Sequence, residues 1–337
     1  MKQRIVLYDN AKGIGIILLI FGHLFTYGNV PFSLIFAFHM PLFFVISGLF
    51  FTPPHTENTK KWIAKIIVRY SIPFFFFTVL GGLASYILYG SMNLKIALYQ
   101  FIMYIGMDEC TTASLWYLGV LIMSLLLMLP LERYCSNTVR KVIVICGLII
   151  LSYYSANCNY TLPFRIKAVF TTTLFILVGY FLKDYVGRIK NVSWKCFLLA
   201  LLVFIMTALS NKTVNISIPV YNDYSFFLIT ASLGIVITLW VSGQRFLKNS
   251  RFLSFLGENS LIIFCTHKIW IVVFVKIINL LTNAQFMYMV DLPNTYCILG
   301  GLFVIVVSIP TVYVIRPMYN FINRSVLSFM YNKDLMI

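Results

Sequence analysis

Charge is scarce in this 337-residue chain: 11% of its residues are Asp, Glu, Lys or Arg, against about 25% in a soluble domain. That shortfall excludes a soluble globular enzyme and a disordered chain. Acidic residues are the scarcest charges, 10 Asp and Glu against 26 Lys and Arg, leaving a formal net charge of +16. There are only four histidines. The seven cysteines show no CxxC or other ligand spacing, so no metal is expected. No repeat or low-complexity tract is visible, which excludes a solenoid or fibrous protein. The two-residue alternation of barrel strands is also missing, because runs such as Ile14–Phe25 are continuously apolar.

Apolar residues dominate instead, at 60%, with 17% aromatic. A membrane-crossing helix needs about 20 mostly apolar residues. Ten such runs are found, near 11–28, 32–51, 70–90, 114–131, 140–156, 168–183, 195–210, 225–243, 259–281 and 296–315. The expected fold is all-α: one polytopic bundle of about ten transmembrane helices filling residues 1–337, with no soluble appended domain. The run 94–107 is short for a span and reads as an interfacial or re-entrant piece. The first apolar run leads straight into a second, which is expected of a retained span and not of a cleaved leader.

The cations then sort by side. With the N-terminus inside, one side carries Lys2, Arg4, Lys12, Lys60, Lys61, Lys65, Arg69, Arg133, Arg140, Lys141, Lys183, Arg188, Lys190, Lys195, Arg245, Lys248, Arg251, Arg316, Arg324 and Lys333, 20 in all. The other side carries 4: Lys95, Arg165, Lys167 and Lys212. Positive charge collects on the cytoplasmic face, so both termini are expected there. The +16 therefore reads as a topology signal and points to no nucleic acid. Cys110 and Cys158 fall on the oxidising side and could pair as a disulfide.

Ionisable groups inside spans are costly and mark functional sites. Three of the four histidines fall in spans: His23, His39 and His267. His55 lies in the first inner loop. His23 follows Lys12 by eleven residues, which returns to the same helix face after about 16 Å of rise. Asp9, three residues before Lys12, is placed to pair with it. Gly15 and Gly22 permit close helix approach. His23 and His39 lie eight residues either side of Pro31, so an antiparallel hairpin puts both imidazoles at similar depth. Pro41 kinks the second span and frees carbonyls that need polar partners. A lone intramembrane imidazole is explained by hydrogen bonding within the bundle. Two at matched depth, with a lysine on the same face, point to a proton-accepting site. Ser260 and His267, seven residues apart, also share a face, beside Lys268. Lys60, Lys61, Lys65 and Arg69 signal topology or bind anionic lipid, or receive a phosphate-bearing substrate. Trp116 and Tyr117 sit where an aromatic belt is expected.

Two strings resemble the acyltransferase-3 family of integral membrane O-acyltransferases, in its fucose 4-O-acetylase-like branch. One runs from Asp9-Asn10-Ala11-Lys12-Gly13-Ile14 to Gly22-His23 and is similar to the family's basic residue, ten-residue spacer and histidine. The other is Phe38-His39-Met40-Pro41-Leu42-Phe43-Phe44-Val45-Ile46-Ser47-Gly48. Leu115-Trp116-Tyr117-Leu118, Gly179-Tyr180 and Leu256-Gly257-Glu258-Asn259-Ser260 leading to His267 are weaker matches. Many family members carry Arg where this chain has Lys12, which keeps the charge and loses bidentate recognition.

The resemblance implies transfer of an acyl group, usually acetyl, from cytoplasmic acyl-CoA to a hydroxyl of a glycan or lipid-linked sugar, at a bacterial inner membrane. His23 and His39 would be catalytic. Lys12, Lys65 and Arg69 would hold acetyl-CoA or another acyl-CoA. Asp9, Trp116, Ser260 and His267 would meet the acceptor. The rival reading is a polysaccharide exporter or proton-coupled transporter without acyl chemistry. The two-part histidine signature favours the enzyme.

Overall fold

A computed structural model of the protein describes residues 6–332, apart from 91–98, 100–111, 160–164, 190 and 249. The expected interfacial piece at 94–107, Tyr99 apart, and the expected partner Cys110 lie outside the described residues.

The protein is an all-α, multi-pass membrane bundle. Its helices are α1 (Val6–Gly22), α2 (Val30–Phe36), α3 (His39–Leu49), α4 (Thr59–Tyr89), α5 (Trp116–Tyr134), α6 (Thr138–Asn157), α7 (Ile166–Leu182), α8 (Val186–Ile189), α9 (Trp194–Asn211), α10 (Tyr224–Ser242), α11 (Arg251–Glu258), α12 (Ser260–Thr282) and α13 (Asn294–Asn332). Among the described residues, eight stretches are long and apolar enough to cross a membrane, counting α2 and α3 together over Val30–Leu49. The remaining two of the ten expected spans correspond to α1 and α7, which at 17 residues each are shorter. The outward faces of α6 and α9 carry exposed Val, Ile and Leu, including Val142, Ile143, Leu198, Leu199 and Leu202. Such continuous apolar surface is what a bilayer covers.

Three boundaries differ from the sequence reading. The expected second span is broken at Ala37 and Phe38, just before His39. Pro41 has no N–H, and its ring clashes with the carbonyl four residues back, which is that of Ala37. Helix α4 begins at Thr59 instead of near residue 70, so Lys60, Lys61, Lys65 and Arg69 lie on its first turns and not in a loop. Helix α13 continues to Asn332 through Pro310 and Pro317, well past the expected end near residue 315.

Hydrogen bonds among helix ends and loops tie the two ends of the bundle. At the end where the cations cluster, Asn10 Nδ2 donates to Leu247 O at 2.8 Å, Arg133 to Thr59 Oγ1 at 2.7 Å, and Trp240 Nε1 to Val192 O at 2.9 Å. At the opposite end, Tyr27 N donates to Met289 O at 2.9 Å and Arg165 to Ser217 O at 2.7 Å.

Close backbone contact at glycine holds the centre. Helix α3 lies against α7, and a Cβ at Gly48 or Gly179 would overlap the facing carbonyl oxygen of Ile176 or Val45. Helix α1 lies equally close to α11, where Gly13 faces Leu253 O and Gly257 faces Asp9 O. Small residues that let backbones meet are the usual adhesive between helices in lipid.

Candidate active site

At the end opposite the cation cluster, α1, α3, α5, α12 and two loops enclose a cavity of about 250 Å³. Its walls include His23, His39, Trp116, Ser114 and Lys268, and apolar side chains such as Leu19, Phe36 and Phe264. Its roof is the loop Asn215–Ile218, with Tyr27 and Met289 beside it.

Each imidazole is placed by a different device. His23 follows the last residue of α1, and its N–H still bonds Leu19 O at 3.1 Å, so the ring hangs from the helix end. Its Nδ1 is buried without a hydrogen-bond partner. His39 opens α3 at the break, and its Nδ1 bonds Ile35 O at 2.9 Å. A carbonyl only accepts, so Nδ1 carries the proton. In the neutral ring Nε2 is then the basic nitrogen. This contact gives the kinked span its polar partner. His267 is fully buried on α12, and its Nδ1 donates to Phe264 O at 2.7 Å. Its Nε2 is buried with no partner.

The ring nearest His23 among the histidines is that of His267, with centroids 5.2 Å apart and planes 33° apart. Phe36 bridges the other two, edge-on to His23 at 5.5 Å and to His39 at 4.8 Å. The hairpin arithmetic thus brings His23 and His39 to one cavity with an aromatic ring between them. The third imidazole comes from near the far end of the chain.

The roof is a preformed turn. Asn215 and Val220 pair in both directions, at 2.8 and 2.9 Å. Asn215 Oδ1 accepts from the backbone N and the hydroxyl of Ser217, at 2.9 and 2.8 Å. Arg165, in the left-handed region at φ 51°, clamps the turn through Ser217 O. These bonds hold Ile216 and Ile218 over the histidines.

The other expected site residues lie elsewhere. Lys12 Nζ sits 2.9 Å from Asp9 Oδ1, at the cation-rich end of α1. Lys65 and Arg69 are exposed on the first turns of α4, Arg69 with its guanidinium 5.7 Å from the Tyr70 ring centre. Ser260 begins α12 and does not line the cavity, being seven residues, about 10 Å of rise, below His267. Trp116 lines the cavity, and His267 lies behind its wall, beside the His23 ring. The site list read from sequence omits Lys268, Ser114 and the roof loop. Lys268 carried a visible signal, a lysine well inside an apolar run beside a histidine. The roof carried only its turn-forming Asn and Ser.

This arrangement suits proton transfer in a shielded space: several imidazole nitrogens, one ammonium, an indole face and few other polar groups. A family model described as an acyltransferase domain, acyltransferase 3, matches residues 5–315. Searches of curated proteins and of solved structures each return no match.

Proposed function

The chain belongs to the acyltransferase-3 family and is a membrane acyltransferase, and from that premise we propose that it moves an acetyl group from cytoplasmic acetyl-CoA to a hydroxyl of a cell-surface or lipid-linked carbohydrate. The observation that carries this reading is the roofed cavity with His23 and His39 in its wall and His267 behind them. Acyl transfer to a hydroxyl needs a base for the hydroxyl proton and shielding from water, which would otherwise compete as acceptor.

In this reading His23 takes the acceptor's proton, and His39, its Nδ1–H fixed on Ile35 O, orients or protonates at Nε2. Trp116 offers a face on which a sugar ring packs, and the roof turn covers the acceptor. The donor is a substrate in two parts. A cavity of about 250 Å³ accommodates the acetyl end. The nucleotide phosphates would then lie at the cation-rich end, where Lys12, Lys65 and Arg69 supply charge.

The 20-to-4 split of cations supports ten spans with both termini in the cytoplasm. A bacterial inner membrane and the fucose 4-O-acetylase-like branch remain part of this proposal. The test is mass spectrometry of surface carbohydrate from strains carrying the wild type, His23→Ala, or no gene. Acetyl increments are expected only with the wild type. A well-folded His23→Ala protein that sustains full acetylation sinks the assignment of the base. Loss of the whole polymer in the deletion strain supports an exporter instead.

A further inference from the structure

Helix α12 carries two lysines, and the structure treats them differently. Lys276 lies near the helix end on an exposed face. It donates to Leu88 O and sits 4.4 Å from the centre of the Tyr89 ring, satisfying a carbonyl in the last turn of α4. That is a structural lysine. Lys268 is the ninth residue of the 23-residue α12, is 7% exposed, and lines the cavity beside His23 and His39. Eight residues, about 12 Å of rise, separate it from the start of α12 at Ser260, and fourteen, about 21 Å, from its end at Thr282. A lysine stem cannot snorkel that far. Among the residues lining the cavity it is the one lysine or arginine, and none is Asp or Glu. An ammonium held at this depth is costly and marks function.

We propose that the Lys268 ammonium stabilises the oxyanion formed when the acceptor hydroxyl attacks the acyl carbon; this rests on the acetyl-transfer reading. His23 takes the hydroxyl proton as the hydroxyl oxygen bonds to the thioester carbon. The carbonyl electron pair moves onto its oxygen, facing Lys268. Collapse restores the carbonyl, breaks the carbon–sulfur bond, and returns the proton from His23 to the leaving thiolate. The oxyanion exists only during this step, so whatever Lys268 contributes to it falls on the transition state and not on the substrates.

The experiment uses membrane vesicles bearing the full chain, radiolabelled acetyl-CoA and the host's own surface carbohydrate. Initial rates are compared for the wild type, Lys268→Met and Lys268→Arg across acetyl-CoA concentration, with thermal unfolding of each protein in detergent. Lys268→Met is expected to lower kcat on the order of 100- to 1,000-fold with KM for acetyl-CoA and the unfolding midpoint nearly unchanged. Lys268→Arg keeps the charge and recovers part of the rate. A folded Lys268→Met protein with wild-type kcat overturns the inference. So does a loss expressed wholly in KM, which makes Lys268 a ground-state site for a carboxylate. No incorporation by the wild type overturns the acetyl-transfer reading, and the inference with it.

Discussion

Helix α1 carries polar groups at both of its ends, and the two ends use them oppositely. At the cation-rich end, Asn10 is fully buried and spends both side-chain atoms: Nδ2 on Leu247 O at 2.8 Å, and Oδ1 on the Ser254 hydroxyl at 3.1 Å. Asp9 and Lys12 hold each other at 2.9 Å, and Gly13 and Gly257 bring the backbones of α1 and α11 together with no room for a cavity. At the other end His23 stands in the wall of the roofed cavity, with its Nδ1 unpartnered and the unpartnered Nε2 of His267 on the neighbouring ring. A buried polar atom without a partner costs roughly 1–3 kcal/mol. One of the two lies on a ring in the cavity wall, and the other on the ring behind it. The first end is a joint, and the second is a workplace.

The sharpest way to break that contrast is at His39. Replacing it by Leu is expected to lower the transfer rate by about 100- to 10,000-fold, the range for a lost acid–base group. The unfolding midpoint should change little, because Ile35 O still receives the Phe38 N–H at 3.3 Å. A large drop in midpoint with the rate retained makes His39 a pin across the α2–α3 break and moves it to the structural side. The converse belongs to Gly257. A methyl there meets the Asp9 carbonyl oxygen, backbone against backbone. Gly257→Ala is expected to cost about 1–3 kcal/mol of stability, read as a lowered unfolding midpoint, with the rate per folded molecule preserved. If the rate falls while the midpoint holds, the joint and the cavity are coupled along α1.

Much of the fold was readable because lipid imposes a simple rule: about 20 apolar residues in a row make a span. The rule says little about where a helix continues into water. Lys60, Lys61 and Lys65 read as a loop because they are charged, yet α4 starts at Thr59 and carries them on a helix. The break before His39 was announced by Pro41 but displaced, since proline acts on the carbonyl four residues back. At the site, spacing along one hairpin was enough to gather His23 and His39. It could not reveal that His267, more than two hundred residues later, supplies the ring next to His23, because that is a matter of how α12 packs against α1. Helical phase alone also misled at Ser260. It shares a face with His267, but a face has depth, and the cavity stops above it.

The smallest effect expected is at Lys12, which stands on the boundary of the comparison. As part of the joint, its pair with Asp9 is an i, i+3 contact worth about 0.2–0.5 kcal/mol. As a holder of the donor's phosphates it would act on binding alone. Its side chain is 23% exposed and already paired, so the gain from one more anion is that of a partly screened ion pair, about 0.2–1 kcal/mol. Lys12→Met is accordingly expected to raise KM for acetyl-CoA up to about fivefold and to leave kcat alone. Asp9→Asn separates the two roles, because it frees the ammonium without removing it. A donor site then binds acetyl-CoA as well as before or better, and KM holds or falls. If both variants lower the unfolding midpoint slightly and neither moves KM, Lys12 belongs wholly to the joint. The charge that meets the donor must then come from the exposed first turns of α4, where Lys65 and Arg69 lie.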